Sequence, residues 1–370
     1  MAFKKPKVNK ITADISTVSI YLRSVKKFGK TTLFRDVVMS KYGDPEKGLL
    51  VACGSEIGYS MLDNLNVVHI ENYDDLIELG KWLIREKGKE HNIEMVAFDT
   101  VDELQLIADQ ETIKRYQEES GKKVKSIKGA FGGFGSGAEY SANNVLKPYF
   151  NALKKAGIAV WAIAHTSMKT VKNKGDLEED GYQMLTSNLN KQSESAFGDI
   201  FDIVLTGVID RTTETKYRDG FNNKKIKENF VKDEVRKLYF RGTTMIDAGS
   251  RFADGAVPEY MVFDKQNMGP EFIKVIEEGI EKSKTDFTPS TEPKEEVDLS
   301  NISLGEEVAE EDIKSIKKEI IALCTEKGGT KNEALMTTLK SFVSSGNPNQ
   351  IRDIVKAKEC LAAVKEVESL

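Results

Sequence analysis

Residues 24–32 of this chain, SVKKFGKTT, decide the fold because they join a buried strand to a helix through a short basic loop. The apolar run 18–22 precedes them, and residues 31–40 carry an apolar stripe at helical spacing. In such a unit, loop N–H groups and the helix N-terminus surround phosphate oxygens. A lysine reaches the outer phosphates and a threonine hydroxyl holds Mg²⁺, the roles expected of Lys30 and Thr31. The stretch therefore predicts a P-loop that binds a nucleotide.

The first position of the loop departs from the full P-loop pattern, which has glycine where this chain has Ser24. A second interpretation therefore stays open, in which Gly-Lys-Thr belongs to a basic surface turn, since these residues are common. Under the nucleotide interpretation the whole loop contacts ATP. The residues predicted to bind it are Ser24, Val25, Lys26, Lys27, Phe28, Gly29, Lys30, Thr31 and Thr32.

A second element, EMVAFDTVDE at 94–103, is an apolar strand that ends in Asp99. A carboxylate at the carboxyl end of a strand beside the P-loop strand holds magnesium, so Thr31 and Asp99 are the predicted metal residues. The alternative is an ordinary strand followed by a helix, with Asp102 and Glu103 in its first turn. The order and spacing of the two elements together favour nucleotide binding with Mg²⁺.

Two further polar residues follow buried strands and are candidates for catalysis. Glu56 comes after the run 49–52 and can present a carboxylate to water at the ligand-binding edge of an open sheet. His165 ends the apolar run 158–164, where a polar side chain is placed to sense the γ-phosphate. The alternatives are an exposed loop glutamate and a hydrogen-bonded core histidine.

The remaining pattern predicts an α/β fold with a mainly parallel sheet between helices, because short β-branched runs alternate with amphipathic segments. Helical segments are expected at 31–40, 75–87 and 142–156, the last ending at Gly157. Two later runs, at 236–240 and 260–263, are expected as antiparallel edge strands. The strand runs of the predicted sheet are 18–22, 49–52, 67–70, 95–98, 158–164 and 203–208.

Composition narrows the class of protein. The chain has 370 residues, 39% of them hydrophobic and 31% charged, which gives room for about two domains. No apolar stretch is long enough to span a membrane, and the lysines at the start lack the apolar core of a signal peptide. Three separated cysteines and three histidines argue for reduced thiols and against a structural zinc site. We therefore expect a cytoplasmic protein.

Charge is distributed unevenly, which divides the chain into three parts. Residues 1–30 carry eight basic residues against a single aspartate, whereas 281–312 carry eleven acidic residues against three lysines. The acidic stretch is rich in Ser, Thr and Pro, so 283–311 is predicted to be a disordered linker. It separates an ATPase core at 1–282 from a small helical module at 312–370. This module is a candidate site for a partner protein.

Two segments combine positive charge with features suited to a nucleic acid. Residues 122–140 and 166–196 are expected to be mobile; the first joins lysines to aromatics on a glycine-rich run, which is typical of sequence-tolerant single-strand binding. A surface loop whose Phe residues pack under the core is the alternative, and mixed charge weakens the second segment. The predicted DNA contacts are Lys122, Lys123, Lys125, Lys128, Phe131, Phe134, Lys169 and Lys172.

Taken in order, several motifs resemble those of RecA-like P-loop ATPases, in particular the phage AAA-type nucleotide-binding proteins of single-strand annealing and recombination systems. The resemblance covers about residues 4–265, and the P-loop and the strand ending in Asp99 are its specific parts. The matching pieces are KKPKVNKITAD, SVKKFGKTTL, LLVACGSEIGY, VAFDTVDEL, AIAHTSMKT, MLTSNLNKQSESAFGDIFDIVL and RKLYFRGTTMIDAGSRF.

The resemblance implies ATP bound between adjacent subunits of a ring or filament, and single-stranded DNA held by mobile loops. It makes Glu56 the catalytic carboxylate and His165 the γ-phosphate sensor. Gly249 stands where such proteins often carry lysine, so Arg251 or Arg241 becomes the candidate for a cation supplied by a neighbouring subunit. Either arginine is equally an ordinary ion-paired surface residue.

The sequence supports one main function and leaves alternatives. The main one is a DNA-associated ATPase of phage recombination or replication, with a single-strand-binding or recombination protein as partner. Because of Ser24, a nucleotide-gated scaffold with little hydrolysis stays open. A small-metabolite kinase is weaker, since 166–196 contains no arginine cluster for a lid.

Overall fold

The structure is a computed structural model of the chain. It describes residues 11–172, 181–219, 225–264, 267–284, 306–351 and 354–368. Two compact units make up the chain: Met1–Ile113 with Lys125–Ser300, and Lys114–Val124 with Asn301–Leu370. In the described residues no helix is both long and apolar enough to cross a bilayer.

The first unit is built on one sheet, whose strand order is β3-β2-β4-β5-β1-β7-β8-β10. The five neighbouring pairs from β3 to β7 are parallel, whereas β7–β8 and β8–β10 are antiparallel. β6 pairs antiparallel with β5, and β9 with β7. This confirms the α/β fold with a mainly parallel sheet and antiparallel edge strands. The strands are β1 Ile20–Ser24, β2 Gly48–Cys53, β3 Val67–Ile70, β4 Met95–Asp99, β5 Ala159–Val171, β6 Tyr182–Ser187, β7 Ile203–Asp219, β8 Lys225–Tyr239, β9 Gly249–Ser250 and β10 Tyr260–Val262.

Helices cover both faces of this sheet because its strands are apolar on both sides. Leu22 and Trp161 pack with the apolar side chains of α1 and α7 on one face. Tyr21 and Phe98 face the aromatic residues of α5 and α6 on the other. A π-helical turn at 141–146 joins α4 to α5. The helices of this unit are α1 Lys30–Tyr42, α2 Tyr73–Arg85, α3 Val101–Ser120 (whose last turns belong to the second unit), α4 Ser136–Tyr140, α5 Lys147–Lys155, α6 Lys191–Ile200 and α7 Gly269–Lys282.

Strand register brings the predicted polar residues to one edge of the sheet. Ser24 at the end of β1 pairs with His165 on β5 and with Gly207 on β7. Asp99 at the end of β4 pairs with Ala52, next to the end of β2. Because parallel strands end at the same edge, the loops that follow β1, β2 and β4 meet there. The P-loop is therefore next to the residues that follow the other strands.

Two regions that the sequence pattern did not predict as strands form long antiparallel hairpins. The described parts of 166–196 form strands and a helix rather than an irregular loop. Residues 173–180 lie outside the described residues. β5 continues to Val171 and turns back as β6, and Asn190 caps α6 by accepting a hydrogen bond from Ser193 N. β7 and β8 likewise continue well beyond the buried sheet. Polar residues on both faces hide such strands from a pattern search.

The second unit contains a small core of its own. Its described helices are α8 Glu306–Glu326, α9 Glu333–Phe342 and α10 Ile354–Glu366. Ile320, Leu335 and Cys360 are fully buried together between them. α8 begins at Glu306, inside the stretch expected as a linker, because its first residues, Glu and Ala among them, favour helix. The remainder of the expected linker, 285–305, lies outside the described residues.

Candidate nucleotide-binding site

The loop between β1 and α1 turns the chain onto the start of a helix. Lys27 and Gly29 both have positive φ, at 62° and 117°, and α1 begins at the next residue, Lys30. The first N–H groups of a helix have no partner within the helix, and its dipole favours negative charge there. Phe28 anchors the loop, since its buried ring stacks on Phe263 with centroids 4.6 Å apart. The loop is therefore a backbone anion site on a fixed support.

Lys30 carries the positive charge of this loop in a nearly buried position, with 7% of its surface exposed. Its Nζ donates to Ser24 O and Ser24 Oγ at 3.2 Å each and to Val25 O at 3.3 Å. Burial lowers the pKa of Lys30, while the charges of Asp99 and Asp102 oppose that effect. The ammonium is therefore held inside the loop by neutral oxygens, which a phosphate can replace as a stronger acceptor.

Thr31 and Asp99 are joined directly, with Thr31 Oγ1 donating to Asp99 Oδ2 at 2.6 Å. Burial raises the pKa of Asp99 to about 6, although the bond from Thr31 and the charge of Lys30 lower it. The expectation that the strand of Asp99 lies beside the P-loop strand is wrong, because β5 lies between β4 and β1. Asp99 still reaches Thr31, because α1 contacts both β1 and β4.

These oxygens fit Mg²⁺ that arrives with a nucleotide. Mg²⁺ is usually held by one or two carboxylates together with substrate phosphates, not by a cage of protein ligands. Thr31 and Asp99 supply one hydroxyl and one carboxylate, and a nearby cation would favour the ionised form of this buried acid. The described residues contain no cluster of three or more His, Cys, Asp or Glu that holds a metal by itself. Thr31 and Asp99 are the residues that would hold the ion.

Ser24 fits at the first position of the loop because its partner on the neighbouring strand β7 is a glycine. Its side chain is fully buried, and its Oγ donates to Val25 O at 3.0 Å. Gly207, its partner on β7, has no Cβ in the space that Ser24 and Phe28 occupy. The departure from glycine is thus matched by a glycine on the next strand.

A cavity of about 950 Å³ opens over this loop, in the range of roughly 300–1,000 Å³ that is usual for small-molecule sites. It collects residues from the ends of four strands and the helices and loops that follow them. Its lining includes 25–32, Glu56, Asp99, Asp102, His165, Thr166 and Asn188.

Glu56 lies on the loop after β2 and lines the same cavity. Its Oε1 accepts a hydrogen bond from Gly58 N at 2.7 Å, which folds the loop back on itself. Its charge acts on both Lys30 and Asp99. The structure thus brings this predicted carboxylate to the P-loop, with its second oxygen available to a bound water.

His165 lies on β5 directly beside Ser24 and also lines the cavity. Its main-chain N–H donates to Asp102 Oδ2 at 2.8 Å, and its Nδ1 lies 3.6 Å from the same oxygen. Its carbonyl accepts a hydrogen bond from Asn188 N at 2.9 Å. About a quarter of the side chain is exposed, so His165 is not a buried core histidine.

The candidate arginines lie outside this cavity. Arg251 NH1 pairs with Asp202 Oδ1 at 3.2 Å and Arg251 NH2 donates to Asp199 O at 2.9 Å. It follows β9, which pairs with the first residues of β7 and so lies at the opposite edge of the sheet. Arg241 is exposed beyond the end of β8. Neither arginine is part of the site of its own chain.

The basic segment 122–140 is partly folded. A 3₁₀ helix spans Ile127–Gly132, and Phe131 stacks on Tyr140 with centroids 4.3 Å apart. Phe134 is fully exposed. The four predicted lysines of this segment, Lys122, Lys123, Lys125 and Lys128, are all exposed.

The lysines of the second segment differ from each other. Lys169 donates to Leu189 O and is half-buried, and burial lowers its pKa. Lys172 is exposed at the end of β5. Of these two predicted DNA contacts, Lys172 is the one whose side chain is exposed to solvent.

Comparison with known proteins shows the family. A family model described as "AAA domain" matches residues 16–252, which include Lys30, Asp99 and His165. The chain belongs to this AAA-domain family. Among solved structures, this AAA-domain protein is similar to a KaiC-like protein from the hyperthermophilic archaeon Pyrococcus horikoshii OT3, with 12% identity and a TM-score of 0.30 over 67% of this chain and 90% of that one. A comparison with curated proteins finds no match.

Sequence reasoning missed a buried ion cluster beneath the P-loop of the AAA-domain protein. Arg23 precedes Ser24 on β1 and is fully buried. Its guanidinium pairs with Glu194 and, at 2.8 Å, with Asp247, and it donates to Thr186 Oγ1 at 3.3 Å. The cluster joins the P-loop strand to β6, α6 and the loop before β9. No local pattern shows it, because its members are more than 160 residues from Arg23 in sequence.

Proposed function

We propose that this AAA-domain protein binds ATP with Mg²⁺ and hydrolyses it. The observation that carries the proposal is the meeting of Lys30, Thr31 and Asp99 at one cavity, with Thr31 bonded to Asp99 at 2.6 Å. The residues come from two sequence elements 68 positions apart and reproduce the parts that phosphoryl transfer needs. A basic surface turn does not explain a buried lysine and a buried carboxylate in one cavity.

The residues of this site have separate roles in the proposed reaction. The loop N–H groups and Lys30 hold the β- and γ-phosphates, where negative charge increases in the transition state. Bound Mg²⁺ supplies further neutralisation of phosphate charge. Glu56 accepts a hydrogen bond from the attacking water and orients it toward the γ-phosphorus. His165, one strand away, contacts the γ-phosphate and is sensitive to its loss.

Single-stranded DNA is the partner that we propose for the exposed basic and aromatic residues. Lysines bind phosphates with strong salt dependence, and an exposed Phe134 offers a face on which a base stacks. Lys122, Lys123, Lys125 and Lys128 supply the charge. Phage recombination or replication is the setting in which such an ATPase would act, with a single-strand-binding or recombination protein bound by the C-terminal module.

Assembly into a ring or filament is part of the same proposal. ATP would lie between adjacent subunits, and Arg251 or Arg241 of the neighbouring subunit would stabilise the transferred charge. Arg251 would exchange its pairing with Asp202 for the phosphate, whereas Arg241 is exposed already.

A scaffold that binds ATP but scarcely hydrolyses it is the second candidate. It is favoured by Ser24, whose hydroxyl bonds to Lys30 Nζ and so competes with phosphate for the ammonium. In a scaffold, Glu56→Gln leaves an already slow turnover unchanged. In an ATPase, the same change lowers kcat about 100-fold or more while ATP still binds.

The deciding experiment measures ATP turnover with and without single-stranded DNA, together with particle size in ATP. Lys30→Ala is expected to lower turnover by roughly 100- to 1,000-fold, because it removes a donor to the developing charge. Lys155→Ala, at an exposed lysine on α5, is the matched control and keeps full turnover. Lack of any stimulation by DNA would remove the DNA part of the proposal, and equal turnover of the two variants would remove the ATPase itself.

A further inference from the structure

The main chain of His165 is held on both sides at the edge of the cavity. Asn188 N donates to its carbonyl, and its own N–H donates to Asp102 Oδ2 at 2.8 Å. A bond from a strand N–H to a side-chain carboxylate of another element is outside the β-ladder. It fixes the position at which β5 passes from its pairing with β1 to its pairing with β6. Asp102 therefore sets where His165 stands relative to the P-loop.

Asp102 is itself placed by the element that carries Asp99. It lies in the first turn of α3, three residues after Asp99, and 15% of its side chain is exposed. Its Oδ1 is buried and has no hydrogen-bond partner among the described residues. Thr166 Oγ1, one residue after His165, is a second buried oxygen without a hydrogen-bond partner among the described residues. Both residues line the cavity, so unsatisfied polar atoms are concentrated on its His165 side.

We propose that Asp102 is a positioning residue of the ATPase site, acting through His165. Oδ2 holds the main chain of His165 and, when nucleotide is bound, accepts a hydrogen bond from Nδ1 of the same residue. The ring is thereby oriented with Nε2 toward the γ-phosphate. This inference rests on the proposed ATPase function and assigns a residue to the same site.

The geometry favours this role over a purely structural one. The Nδ1–Oδ2 distance of 3.6 Å is too long for a hydrogen bond, yet it is short enough to become one after a small rotation of the ring. Hydrogen bonds of catalytic groups are often long in the free protein and shorten in the complex. A carboxylate bonded to one ring nitrogen decides which nitrogen faces the ligand. Asp102 also gives the cavity a charge that acts on Lys30.

Two substitutions separate the functions of the carboxylate. Asp102→Ala removes both oxygens, whereas Asp102→Asn keeps one acceptor for the His165 N–H and removes the charge. Glu119→Gln, like Asp102→Asn, replaces a carboxylate by an amide; it lies at an exposed position of α3 and is the control. For each full-length variant, kcat and KM for ATP are measured, together with the Kd of a non-hydrolysable ATP analogue. The ring signal of His165 is followed by NMR with ¹⁵N-labelled histidine, which is practical because the chain has three histidines.

The expected result is a loss of about 100-fold in kcat for Asp102→Ala with KM and analogue Kd changed less than about threefold. The analogue shifts the His165 signal in the wild type and in the control, but not in Asp102→Ala. In Asp102→Asn, the loss of kcat and the shift of the signal are both intermediate between those of the wild type and Asp102→Ala. If Asp102→Ala does not fold, Asp102→Asn decides by the same criteria. A kcat within twofold of wild type, or loss of analogue binding by a folded variant, overturns the inference. A wild type that binds no analogue overturns the proposed function instead, and with it the inference.

Discussion

Gly207 lies directly across from Ser24 in the pairing of β7 with β1, and the two residues share a space that holds only one side chain. A Cβ on Gly207 would lie 2.8 Å from Ser24 Cβ and 2.7 Å from the ring of Phe28. Both distances are shorter than ordinary contacts between carbon atoms. The unusual first residue of the P-loop therefore depends on a glycine that is 183 positions later in the chain.

Gly207→Ala is expected to destabilise the fold by about 1–3 kcal/mol, because overpacking forces Ser24 and Phe28 to move. Moving Phe28 also displaces the loop, so affinity for ATP falls. Thermal unfolding and ATP binding measure the two effects. Gly198→Ala on α6 is the control, since a Cβ there meets nothing within 4 Å, and it is expected to stabilise by roughly 0.5–1 kcal/mol. Equal stability of the two variants would show that the space is not restricted.

Removal of the Thr31 hydroxyl is expected to weaken the use of Mg²⁺. Thr31→Ala leaves Asp99 without its 2.6 Å partner and takes one oxygen from the metal position. The Mg²⁺ concentration for half-maximal ATP turnover should rise at least about tenfold. Thr31→Ser keeps the hydroxyl and should behave like the wild type in the same titration. A rise of similar size in Thr31→Ser would mean that the methyl group, and not the oxygen, is what matters.

Asp202 joins the start of β1 to the start of β7, at the opposite edge of the sheet. Its Oδ2 accepts from Ser19 N at 2.9 Å and Ser19 Oγ at 2.6 Å, while Lys154 and Arg251 lie within 3.4 Å of its carboxylate. Burial alone would raise the pKa of Asp202, but these bonds and charges outweigh it and lower the pKa below its usual value. The ionised carboxylate therefore stabilises the fold.

Asp202→Asn is expected to cost about 1–3 kcal/mol of stability at pH 7, the usual value of hydrogen bonds to a charged group. The native pKa lies below the unfolded value of about 3.9, so this stabilisation is present above pH 4 and is lost as the pH falls through the native pKa. The difference in free energy of unfolding between wild type and variant should therefore shrink below pH 4. Urea unfolding at several pH values measures it. Asp63→Asn, at an exposed loop position, is the control and should keep the stability of the wild type at pH 7.

Truncation of Phe134 is expected to lower DNA affinity, whereas truncation of Phe131 is expected to lower stability. Phe134 is fully exposed, so Phe134→Ala should leave thermal stability unchanged and weaken single-stranded DNA binding by about 1–3 kcal/mol, the value of one stacked base. Phe131 already stacks on Tyr140, and Phe131→Ala should cost about 0.5–1.5 kcal/mol of stability. Fluorescence anisotropy with labelled oligonucleotides gives the affinities. Unchanged DNA affinity of Phe134→Ala would exclude stacking on this ring.

Local pattern was enough to predict most of the central sheet. The six runs expected as strands all lie in or overlap strands of the structure, and Gly157 ends the helical stretch with a positive φ of 72°. Buried parallel strands are apolar on both faces, so each is visible as a short continuous run. The hairpin of β7 and β8 was not visible, because beyond the core both its faces are polar, as at Arg211 and Glu234.

The candidate site was predictable only in part, because some of its residues are neighbours in sequence whereas others meet only in the folded chain. Lys30 and Thr31 belong to one continuous loop, whose chemistry depends on backbone conformation and neighbouring residues. Asp99 could be paired with them from its place at the end of an apolar strand. Asp102 looked like an ordinary first-turn acid, and nothing in its neighbourhood indicates the N–H of His165, 63 positions away.

The sequence by itself therefore determined the P-loop, the strands of the buried sheet and the residues at their carboxyl ends, because these follow from periodicity and from short-range geometry. Only the tertiary structure decided that β5 lies between β1 and β4, that Gly207 makes room for Ser24, and that Asp102 holds His165. Strand order, close packing and long-range hydrogen bonds depend on which distant residues meet, and a local pattern carries no information about that meeting.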